Sequence, residues 1–60
     1  MKKNERFTVQ ILDETNLGYG VARVEDWVVF VPDVLKDERI DIKITKVKKS
    51  YAYARCMQIL

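Results

Sequence analysis

Lysines 46, 48 and 49 and Arg55, with Tyr51 and Tyr53 set among them, are the residues of this chain best suited to chemistry. Ammonium and guanidinium groups neutralise phosphates and release their counterions, while phenol rings offer flat faces to bases, so this mixture suits a polyanion that also carries aromatic rings. The surrounding charge sharpens the point. From Lys43 to Leu60 there are five cations and no acid, whereas all nine carboxylates lie at or before Asp41. The net charge of +2 conceals an acidic body joined to a cationic final third. The ordinary alternative for the lysines is a solvated hairpin that keeps a strand edge soluble, and for either tyrosine a core ring with a wet hydroxyl.

A second group lies upstream. Alternation from Tyr19 through Val21 to Arg23 places these three on one face of an extended segment, where Tyr19 and Arg23 offer a second contact point. Trp27 to Val31 is apolar on both faces, so parity alone leaves open whether Trp27 or Phe30 faces outward. The lone Cys56 reads as a small buried hydrophobe rather than an activated thiol. Asp33, Asp37, Glu38 and Asp41 lack the spacing of a metal loop, and the chain has no histidine. No catalytic constellation and no phosphate loop are present, and no metal or cofactor is expected.

Sixty residues make one small domain with a shallow core, and 48% hydrophobic with 33% charged residues is the composition of a folded domain. One cysteine excludes an internal disulfide and fits a reducing cytoplasm. No apolar run approaches membrane-spanning length, so a cytoplasmic domain without membrane contact is expected.

Period-two alternation and β-branched residues dominate, which predicts an all-β fold. Strands are expected over Arg6–Leu12, from Gly18 to about Val24, over Trp27–Val31, from Arg39 to about Lys49, and from Tyr51 to about Ile59. Asp13–Asn16 reads as a turn, and Asp33–Glu38 as a loop with room for a helical turn. In the fourth strand Ile40, Ile42 and Ile44 keep step, but the next apolar residue, Val47, falls out of phase. A bulge near Lys46 accounts for the slip. Five short strands favour a closed or nearly closed barrel, which leaves no unprotected edge. Residues 1–60 form a single unit, with 1–4 expected as a disordered end. The termination on a strand at Leu60 is expected of a domain taken from a longer protein.

In order, Gly18-Tyr19-Gly20-Val21-Ala22-Arg23, Val28-Val29-Phe30-Val31-Pro32, Leu35, Glu38 and Lys46-Val47-Lys48-Lys49-Ser50-Tyr51-Ala52 resemble the TRAM domain over roughly Phe7 to Leu60. The resemblance implies a small five-stranded OB-like β-barrel that binds RNA. It looks most like the domain at the amino end of RNA uridine-5-methyltransferases, which use S-adenosylmethionine. It further implies a monomer that delivers structured ribosomal or transfer RNA to its other partner, the catalytic domain of the parent chain. Tyr19, Arg23, Lys46, Lys48, Lys49, Tyr51, Tyr53 and Arg55 are the expected RNA-binding residues. Two connections depart from the family pattern: Glu25-Asp26-Trp27 lacks a glycine, and Leu35-Lys36-Asp37-Glu38 stands where Leu-Pro-Gly-Glu is usual. A cold-shock-like single-strand binder shares Gly-Tyr-Gly and Val-Phe-Val, but Ala22 and Pro32 replace the aromatic and histidine expected there. A barrel that docks an acidic protein partner is the alternative of a different class.

Overall fold

The alternating segments pair into one curled sheet in the computed structural model, which describes residues 1–60. Its strands are β1 (Arg6–Gln10), β2 (Asp13–Glu14), β3 (Tyr19–Val24), β4 (Trp27–Pro32), β5 (Arg39–Val47) and β6 (Tyr51–Ile59). They are ordered β1-β5-β6-β4-β3-β2. All neighbours are antiparallel except β4 and β6, which run parallel over Val28–Phe30 and Tyr51–Tyr53. The two edges of the sheet, β1 and β2, are consecutive lengths of one bent segment. The sheet thereby curls into an OB-like half-barrel.

Six strands replace the five expected from the sequence, and the extra one comes from that bend. At Ile11 the backbone leaves β5 for the 33–38 loop: Ile11 N–H donates to Glu38 O (2.9 Å) and Ile11 O accepts from Asp37 N–H (2.8 Å). Leu12 N–H then donates to Val21 O (2.8 Å), and Asp13 and Glu14 pair with Val21 and Gly20. Polar turn-formers are thus recruited to a strand because β3 offers them a free edge; tertiary pairing overrides local propensity. The turn itself lies two residues later than expected, beginning after Glu14. The 33–38 loop contains turns and no helix.

Inside lie Val9, Ile11, Ala22, Val29, Val31, Val34, Ile40, Ile42, Ile44, Ala52 and Ala54. Ile40, Ile42 and Ile44 of β5 are fully buried, each contributing about 1.5 to 3 kcal/mol. Val34 plugs one end of the barrel and explains one of the two glycines around Tyr19. A Cβ on Gly20 would overlap the Val34 side chain and stand 3.0 Å from an Ile11 methyl. Gly18 has open space but a φ of 87°, which side chains rarely adopt. One glycine is required by packing and the other by backbone conformation; together they fix Tyr19 outward.

The bulge expected near Lys46 is present. The pairing Ile44↔Ala54 is followed by Lys46↔Tyr53 and Val47↔Ala52, which leaves Thr45 as the extra residue. Its hydroxyl donates to Tyr53 O at 3.3 Å and pins the irregularity. Unbroken alternation would turn Lys46 inward with Ile44. The inserted residue restores Val47 to the core side and delivers Lys46 to the outer face.

Candidate nucleic-acid interface

Small inner residues bring the wall of the barrel close together, and the same strands set large residues outside. On β6, Ala52 and Ala54 are buried while Tyr51 and Tyr53 are half-buried on the opposite face and Arg55 is exposed. On β4, Val29 and Val31 point in and Val28 and Phe30 out; on β3, Gly20 and Ala22 point in, and Tyr19, Val21 and Arg23 out. Because β3, β4 and β6 are adjacent, these outward residues form one surface.

Four rings meet there. Phe30 sits 6.4 Å from Tyr19, 5.9 Å from Tyr51 and 5.8 Å from Tyr53 between centroids, and Tyr53 lies 5.9 Å from Tyr19 and 5.8 Å from Tyr51. Interplanar angles between 38° and 81° make these edge-on or tilted contacts. Such pairs stabilise by about 0.5 to 1.5 kcal/mol each, and no ring covers another in a parallel stack. Phe30 was ambiguous by parity; the structure sets it on the outer wall and packs Trp27 against the core instead.

Cations frame the rings. Register places Lys46 opposite Tyr53, and Tyr53 opposite Phe30, which in turn faces Val21. A parallel row runs Tyr51, Val28, Arg23. Lys48 and Lys49 occupy the turn between β5 and β6, exposed, with Lys48 N–H donating to Tyr51 O at 2.8 Å. No carboxylate occurs anywhere in β3, β4 or β6. Of the eight residues expected from sequence, five lie on this wall, Lys46 borders it from β5 and the two turn lysines stand at its rim.

Two further cations, outside the eight expected binding residues, join this surface. Arg6 pairs with Lys43 across β1 and β5, and Lys43 with Arg55 across β5 and β6, so three cations stand in one cross-strand row. Like charges set opposite each other destabilise a sheet modestly, a cost that an anion lying over them removes. Lys43 was legible, since the isoleucine alternation already turns it outward. Arg6 was not, because its place depends on the register between the first strand and the fourth expected one. The row is bounded by Asp41, which pairs with Thr8 and accepts the Thr8 hydroxyl at 2.6 Å.

The acids gather elsewhere. Glu25 and Asp26 cap the β3–β4 turn, and Asp33, Asp37 and Glu38 line the loop before β5. Both connections depart from the family pattern, and both hold non-glycine residues at positive φ: Glu25 at 56° and Asp37 at 73°. The Glu38 carboxylate accepts from Leu35 N–H at 2.6 Å, which holds the latter turn.

Comparison with known proteins extends the geometry. Residues 2–57 match the TRAM domain family. An uncharacterized protein of Methanocaldococcus jannaschii is 48% identical over 54 residues, covering 90% of this chain and 70% of that protein. An uncharacterized RNA methyltransferase of Staphylococcus epidermidis is 38% identical over the full chain, which spans only 13% of that enzyme's length. The solution structure of a conserved protein from Methanococcus maripaludis superposes with a TM-score of 0.88 at 34% identity, covering 97% of this chain and 83% of that one.

Proposed function

From the premise that this chain belongs to the TRAM domain family, we propose that it is an RNA-binding module whose contact surface is the outer wall of β3, β4 and β6 with the β5–β6 turn. The observation that carries this reading is four partly exposed rings on β3, β4 and β6, strands that contain no acid, framed by Arg23 and Arg55 on those strands, by Lys46 of β5 and by Lys48 and Lys49 of the turn. Phosphates lie against the cations, which gives affinity without sequence preference, and one or two bases stack on the rings.

The chain holds a binding domain and no catalytic domain. In the finer reading, it serves an S-adenosylmethionine-dependent uridine-5-methyltransferase of ribosomal or transfer RNA in the cytoplasm, holding RNA for a catalytic domain in the same parent chain. Its match to the RNA methyltransferase from Staphylococcus epidermidis supports that reading. The short Methanocaldococcus jannaschii relative, most of which this domain covers, supports a second one: an independent monomeric RNA binder. Both employ the same wall.

Titration with labelled RNA across a range of salt tests the shared claim. Five engaged cations predict a slope of log affinity against log salt of about −3.5, and Lys48→Ala with Lys49→Ala makes it shallower by about 1.4. An affinity indifferent to salt contradicts the reading.

A further inference from the structure

Beside the rings lies a cleft of about 180 Å³ lined by Thr15, Leu17, Tyr19, Phe30 and Tyr53. Leu17 is 85% exposed, the most exposed large apolar side chain of the molecule, and the core makes no use of it. Its backbone is nevertheless fixed. Thr15 Oγ1 accepts from Leu17 N–H (3.3 Å) and Tyr19 N–H (3.2 Å), and Thr15 N–H donates to Tyr19 O at 2.8 Å. Gly18 N–H donates to Thr15 O, and Asp33 N–H to Gly18 O. The left-handed φ of Gly18 completes the turn. A held turn whose unsupported leucine lines the same cleft as three rings is a sandwich with its filling missing.

We propose that this cleft is a pocket for a single unpaired nucleobase, inserted between Leu17 and the Tyr19–Phe30–Tyr53 rings. The inference rests on the RNA-binding reading above and names the class of RNA: single-stranded where it meets the wall. The occupant is a base rather than an apolar peptide side chain because of the surrounding charge. Lys46 stands in register with Tyr53, Arg55 follows on the same face of β6, and β3, β4 and β6 carry no acid, so the ring side of the cleft favours an anionic polymer, while Glu14 and Asp33 flank the Thr15–Gly18 turn. A base supplies flat faces for the rings and the leucine. In a duplex those faces are covered by neighbouring pairs, and only phosphates reach the wall. Because the turn is already ordered, little conformational entropy is lost on insertion.

Binding of the domain to a short oligouridylate and to a blunt RNA duplex with a matching number of phosphates, each with the wild type and with Leu17→Ser, tests the pocket. The expected result is an oligouridylate bound at least about fivefold tighter than the duplex, with Leu17→Ser removing most of that margin while leaving duplex binding unchanged. An oligouridylate bound no tighter than a duplex that itself shows the salt dependence overturns the pocket and leaves the RNA-binding reading standing. So does a Leu17→Ser variant that loses nothing, or that loses equally on both RNAs. If neither RNA is bound, the RNA-binding reading fails and takes the pocket with it.

Discussion

The two faces of β6 obey different demands. Inward, Ala52 and Ala54 are small, buried and indifferent to everything except closure of the wall against Ile44, Val47 and Val29. Outward, Tyr51, Tyr53 and Arg55 are larger than the fold needs: an outer face that meets water is satisfied by threonine, lysine or glutamine. The same contrast holds for β4, where Val29 and Val31 build the core and Phe30 builds the outer cluster. On such strands stability sets the inner face, and we propose that RNA sets the outer one. Substitutions should therefore separate most cleanly between the buried inner residues, which reduce folding, and the exposed outer cations, which reduce binding; the outer rings, packed on one another, contribute to both.

The largest effect that would break this contrast is on the inner face. Ile42→Ala empties a fully buried site and is expected to cost about 2 to 5 kcal/mol. That is much of the roughly 3 to 9 kcal/mol available to a domain of this size. Thermal or urea denaturation would show the loss, whereas the Lys48→Ala, Lys49→Ala pair should unfold within about 0.5 kcal/mol of wild type. If the lysine pair unfolds as readily as Ile42→Ala, the separation of faces is wrong.

The smallest effect sharpens the contrast from a third place, the connections. Glu25 at φ 56° is held in a left-handed conformation that costs a non-glycine residue about 1 to 2 kcal/mol, partly offset by the greater chain entropy glycine loses on folding. Glu25→Gly is expected to raise the melting temperature by several degrees, Asp37→Gly by less because aspartate tolerates that conformation, and neither to alter RNA affinity by more than its lost charge. A drop in melting temperature for Glu25→Gly would contradict the strain assigned to that turn.

Much of this was legible in the residues. Alternation gave the β fold, the inward alanines of β6 and the outward tyrosines, and the odd step from Ile44 to Val47 gave the bulge that sends Lys46 outward. A second register shift, between Asp41 and Ile42 against Gln58 and Cys56, escaped notice. The step from Cys56 to Ile59 is also odd, but the intervening Met57 is apolar and masks it. Asp13 and Glu14 read as turn because propensity is local, while their pairing to β3 follows from closure of the whole sheet. For the same reason the row Arg6, Lys43, Arg55 and the Leu17 cleft needed coordinates: each joins residues from separate strands or loops whose register no single segment encodes. The family resemblance supplied RNA, and the geometry supplied the wall on which we propose it binds.

The most direct test of the claim that this wall carries the RNA is a residue-by-residue map. Amide chemical shifts of the isotope-labelled domain, followed during titration with an oligouridylate, should move in β3, around Phe30 in β4, and from Lys46 through Arg55. Those of Asp33–Glu38 should stay still. Shifts concentrated in that acidic loop and along β1, with the tyrosine strand unmoved, would contradict the account.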